Sequence, residues 1–157
     1  MVQLLMFLHV GAAIIAFGPT FAFPILGAMG GKEPMFANFA TRASEAIEKK
    51  LVLPFALSMP VSGIGLIWFA DVDLLSTRSA WLSVGIVVYT AAILFVLRVQ
   101  VPAVEKVVEL TSRPPDPGAG GPPAELLATI REVQQGGMLL TVAIVVLVFL
   151  MVFKPGF

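Results

Sequence analysis

Residues 6–31 read MFLHVGAAIIAFGPTFAFPILGAMGG and contain no aspartate, glutamate, lysine or arginine. A helix on a soluble protein needs a charged face for water. A run this long without one has the length needed to cross about 30 Å of hydrocarbon. Three further charge-poor stretches follow, LVLPFALSMPVSGIGLIWFA at 51–70, AWLSVGIVVYTAAILFVL at 80–97 and GMLLTVAIVVLVFLMVF at 137–153. With the first span at about 4–27, the expected fold is all-α: a polytopic membrane protein built as a four-transmembrane-helix bundle in one membrane domain. The alternating pattern of a membrane barrel is absent, so helices are the only way to satisfy the backbone in lipid.

Composition agrees. The 157 residues are 58% hydrophobic and 13% charged, against about 25% charged in a soluble domain. Ten basic and ten acidic residues cancel, which points away from a nucleic-acid partner. Cysteine is missing, so disulfides, thiolate metal sites and cysteine nucleophiles are excluded. No lysine or arginine precedes the first apolar run, and that run exceeds a signal-peptide core in length, so it is expected to be retained as a span.

Basic residues set the expected orientation. Lys32, Arg42, Lys49 and Lys50 follow span one, and Arg98, Lys106, Arg113 and Arg131 follow span three. Only Arg78 and Lys154 fall on the other side. The positive-inside rule then places both long loops in the cytoplasm of the cell and both termini outside. Trp68 and Trp81 flank the short outer loop, where an aromatic belt belongs.

The long loops read as helical extensions of the spans. Phe36, Phe39, Ala43 and Ile47 recur at helical spacing, with Glu45 and Lys49 as an i,i+4 pair. Val101, Val104 and Val108 form one apolar face; Leu126, Leu127, Ile130 and Val133 form another. Spans three and four are therefore expected to project as a cytoplasmic hairpin, jointed by the flexible Pro/Gly-rich linker at about 111–123. The mixed charges of these pieces favour helix–helix packing over a membrane-surface role.

Few side chains within the spans carry chemistry. His9 is the single histidine. At 100° per residue it shares a face with Leu5, Ala13, Ala16 and Thr20, opposite Phe7, Ile14, Phe17 and Phe21. Small residues mark close helix packing in membranes, so the imidazole is expected to point into the bundle. Gly11 and Gly18 make a competing small stripe on the bulky side. Neutral imidazole ligates haem iron, copper and zinc. Met6 and Met151 fall at roughly the depth of His9, so His/Met haem ligation or a thioether-rich Cu(I) site is geometrically conceivable; a bis-histidine haem within one chain is not. Asp71 and Asp73 in the outer loop are candidates to support His9 from behind or to accept a proton. The competing readings are an interfacial imidazole, two packing methionines and a solvated turn with Ser76 or Ser79 capping span three. Pro19, Pro24, Pro54 and Pro60 should kink spans one and two, with Ser58 and Ser62 recapping freed carbonyls. Tyr89 and Thr90 complete the polar set of span three.

FLHVGAAIIAFG in span one, LPFALSMPVSGIGLIW in span two, and a Trp opening span three with VQVPAVEKV at its end carry a resemblance. The chain resembles a family of small four-span bacterial membrane proteins of unassigned function over nearly its whole length. More distantly it resembles copper-resistance-D-type proteins and membrane-embedded protoporphyrinogen oxidases. In the latter a first-span histidine ligates haem, which by resemblance implies that role for His9, and a later-span lysine is important. Span three has no lysine here; Arg98 is the nearest cation, and arginine is no general base.

Two functions follow. One is a non-catalytic accessory or scaffolding subunit of a larger membrane complex or homo-oligomer. The other is a redox protein binding haem b or copper through His9 near the outer face. The scarcity of intramembrane polar groups favours the first.

Overall fold

The structure is a computed structural model and describes residues 1–74, 76–112 and 121–155. Among these the chain is all-α, without strands. Four helical rods, Val2–Lys32, Pro34–Phe69, Thr77–Ser112 and Ala124–Phe153, are each long and apolar enough to cross a membrane. Most of the expected linker, residues 113–120, lies outside the described residues.

Only the last rod, α7 (Ala124–Phe153), is one uninterrupted α-helix. The first is α1 (Val2–Phe17) and α2 (Phe23–Lys32), separated by a 3-10 turn at Gly18–Phe21 with Pro19 near its start. The second is α3 (Ala37–Ile47) and α4 (Leu53–Phe69), joined through a π turn at Glu48–Val52. The third is α5 (Ala80–Phe95) and α6 (Val101–Ser112), joined through a π turn at Val96–Gln100.

Both π turns have the same chemical cause. Each is followed, after one residue, by a proline: Pro54 after Leu53, and Pro102 after Val101. Proline has no N–H to donate, and its ring collides with the carbonyl four residues back. Widening the preceding turn relieves that collision. Leu53 N–H bonds the Glu48 carbonyl and Val101 N–H bonds the Val96 carbonyl, each five residues away.

Within the apolar layer, α1 packs on α4 and α5 on α7. The alanines Ala12, Ala16 and Ala56 are buried on the first pair, and Ile144, Leu147 and Leu150 on the second. Outward-facing Ile14, Val61, Val87 and Val145 are all more than half exposed. That surface suits lipid, and with the four long apolar rods it makes this an integral, multi-pass membrane protein.

The rods are joined again on the side away from the chain termini. Asn38 of α3 donates from Nδ2 to Thr111 Oγ1 (3.1 Å) and Ser112 Oγ (3.0 Å) of α6. Lys49 bridges Glu45 (2.8 Å) and Glu105 (2.6 Å), and Lys106 pairs with Glu125 of α7 (2.8 Å). Ala103, Val104 and Val107 bury the inner face of α6. The apolar edge of α3 differs from expectation, because Phe39 is 73% exposed. The reason is the close crossing with α2 at Gly30, where a Cβ would lie 3.2 Å from both Ala37 Cα and Ala40 Cβ. That contact uses the small side of α3 and leaves Phe36 and Phe39 flanking an open cleft of about 300 Å³.

Candidate functional site

His9 faces α4. Its Nδ1 lies 2.9 Å from Ser62 Oγ, and its Cε1 packs over Gly63, where a Cβ would sit 3.5 Å away. One turn toward the N-terminus, Leu5 lies against Gly65 in the same way. The small pair Gly63 and Gly65 thus provides a groove into which the Leu5 and His9 side chains fit. The competing stripe is not used, since Gly11 and Gly18 have nothing within 4 Å of a Cβ position.

Ser62 links the imidazole to its own helix. Ser62 donates its hydroxyl proton to the Met59 carbonyl at 3.0 Å. Its oxygen can then accept from the ring in the Nδ1–H tautomer. In that tautomer the Nε2 lone pair is the free one, which is the form a metal-binding histidine takes when its other nitrogen is held.

The other site candidates lie elsewhere. The Met151 methyl packs 3.1 Å from a Cβ position at Gly85, on the α5–α7 face. Met6 is 44% exposed, one turn before His9. Asp71 takes a left-handed conformation (φ 51°) just past the end of α4. By helix rise it stands about 12 Å beyond the Ser62–Gly63 contact. Asp73 lies further along the same loop, where its carbonyl accepts from Ser76 N–H at 3.3 Å. Ser76 caps the turn into α5, accepting from Arg78 N–H at 3.3 Å. The group that meets His9 Nδ1 is therefore Ser62, a residue whose sequence reading was only that of a carbonyl cap. The signal that could have found it is depth: both lie roughly two turns from the same end of their helices. No group of three or more His, Cys, Asp or Glu placed to hold a metal ion occurs among the described residues.

A second polar contact depends on a proline. Pro60 lies inside α4 and cannot donate to the Ala56 carbonyl four residues back. The Tyr89 hydroxyl of α5 donates to that carbonyl instead. Ser58 similarly caps Phe55 at 2.7 Å. A third contact joins α7 to the π turn of the third rod: Gln100 Nε2 donates to the Val133 carbonyl at 3.2 Å, and the amide lies against Gly136. Thr90 and Thr141 bond back to carbonyls of their own helices, at 2.8 Å each. His9, Tyr89 and Gln100 therefore each meet a different partner at a different helix contact.

The sequence model of a family described as "Predicted integral membrane protein (DUF2269)" matches residues 3–155. No curated protein and no solved structure is matched by the chain.

Proposed function

The chain belongs to this family of integral membrane proteins, and on that premise we propose that it is a non-catalytic accessory or scaffolding subunit of a larger membrane complex. The observation that supports this reading is how the polar groups of the spans are used. His9 meets Ser62, Tyr89 meets the carbonyl freed by Pro60, and Gln100 meets Val133. Each contact fastens one helix to another, as polar side chains in membrane bundles commonly do. A catalytic centre needs several such groups converging on one point. In this reading the chain crosses the bilayer at about 4–27, 51–70, 80–97 and 137–153. The two long loops with their helical extensions, which hold eight of the ten basic residues, face the cytoplasm, and both termini lie outside.

One observation favours a second reading, a haem b- or copper-binding redox protein. In the Nδ1–H tautomer the unprotonated Nε2 of His9 is suited to a metal, with Ser62 holding Nδ1. Here His9 would be the ligand supplied by α1, and the bound group would supply electron transfer.

One preparation separates the two. The chain is extracted in mild detergent from cells supplied with haem and copper. Its absorption is recorded oxidised and dithionite-reduced beside His9→Ala, and its composition after two chromatographic steps is determined. The accessory reading expects a featureless spectrum, no stoichiometric metal, and a membrane partner retained in fixed ratio in both wild type and His9→Ala. Reduced-minus-oxidised haem bands, or one equivalent of copper, lost in His9→Ala would replace it with the redox reading.

A further inference from the structure

Glu48 is a buried carboxylic acid that neither reading above employs. It opens the π turn that precedes Pro54, and only 7% of its surface is exposed. The π turn packs against α1 and against the 3-10 turn at Gly18–Phe21. Two irregularities in neighbouring rods, each beside a proline, therefore meet at the turn that carries this side chain. Its sequence neighbour Lys49 turns outward and is bound by Glu45 at 2.8 Å and Glu105 at 2.6 Å. Among the described residues no hydrogen bond or ion pair reaches the Glu48 carboxyl, whose oxygens keep a small remaining contact with the surface.

An ionised carboxylate so placed carries a large desolvation cost, which a proton removes. We propose that Glu48 is a proton-binding site whose occupancy governs how tightly the break in the first rod seats against the π turn of the second. With the proton bound, the neutral acid is tolerated in the seam. With the proton lost, the carboxylate is drawn toward water and the seam loosens.

The electrostatics agree with that placement. Burial pushes the Glu48 carboxyl up to about 7, with Lys49 pulling it down and Glu45 and Glu105 adding to the rise. Those are the charged groups acting on it. The α1 helix and the 3-10 turn carry only His9, far along α1, and α4 carries no titratable side chain.

The sign follows. The folded state holds the proton more tightly than the unfolded chain, whose glutamate titrates near 4.5. The stabilisation is complete below that value and is lost as pH rises through about 7.

The test uses the full chain in detergent or nanodiscs. Hydrogen exchange of residues 17–23 and 48–53 is followed from pH 5 to pH 8, corrected for intrinsic rates. Opening that returns the carboxyl to its ordinary range should be roughly 70-fold more frequent at pH 8 than at pH 5. Glu48→Gln should remove the dependence, and His9→Gln should leave it in place. Glu48→Leu should be at least as stable as wild type at pH 8, which checks the point if the amide folds poorly. A pH dependence unchanged in Glu48→Gln, or one abolished by His9→Gln instead, would overturn the proposal. So would a Glu48→Leu chain less stable than wild type at pH 8.

Discussion

Gly136→Ala is expected to destabilise the bundle by about 1–3 kcal/mol, as overpacking of a well-filled interior does. Gly136 is buried on α7 where the third rod crosses. A Cβ there would overlap the Gln100 Oε1 and come within 3.2 Å of the Phe95 ring. Gln100 is a flexible side chain, but it is 8% exposed and its amide is committed to the Val133 carbonyl. Moving it aside breaks that bond. Two controls make the prediction sharp. Gly137→Ala, one residue on, has open space around its Cβ and should be neutral or stabilising by up to about 1 kcal/mol from helix propensity. Gln100→Ala in the Gly136→Ala background should recover part of the loss, so the two effects are non-additive. Thermal unfolding of wild type, Gly136→Ala, Gly137→Ala, Gln100→Ala and the double variant in one detergent measures all of this. Equal effects of alanine at 136 and 137 would sink the assignment.

Tyr89→Phe should cost about 1–2 kcal/mol, the upper part of the range for hydrogen bonds between membrane helices. The reason is the state of the Ala56 carbonyl. Pro60 withholds its intrahelical donor, so the phenol is the donor observed there. Removing the hydroxyl leaves a carbonyl unsatisfied in a half-buried seam. Pro60→Ala supplies an N–H at the right position, and in that background Tyr89→Phe should cost little. A double-mutant cycle on unfolding in detergent measures the coupling. If Tyr89→Phe costs the same with proline or alanine at position 60, the phenol is not compensating for the proline.

Much of the architecture was legible without coordinates. Four rods, an all-α bundle and the Glu45–Lys49 pair follow from charge-poor length and i,i+4 spacing, both local properties of the chain. The irregular turns at Pro19 and before Pro54 were legible for the same reason, whereas Pro60 lies within the continuous α4. The recapping of freed carbonyls was not legible: Ser58 and Ser62 bond the Phe55 and Met59 carbonyls, which no proline frees, and the carbonyl that Pro60 does free is taken by Tyr89 from a distant segment. The direction of His9 was half legible. Its small face pointed toward a neighbour, but the stripe at Gly11 and Gly18 argued the other way. Only the packed structure shows that stripe unoccupied.

What the chain's residues determined alone is its solvent: too few charges to live in water, and helices long enough for lipid. Which π turn precedes which proline is also written locally, in EKKLV-L-P and VLRVQ-V-P. Partnership was decided only in three dimensions. That Ser62 takes His9, that Tyr89 takes the carbonyl Pro60 frees, that Gln100 requires Gly136, and that Glu48 is largely buried depend on register between helices. Register is set by the fit of small and large side chains across an interface between distant segments. Hydropathy, which assigns each segment to lipid, is nearly blind to it because every face of these helices is apolar.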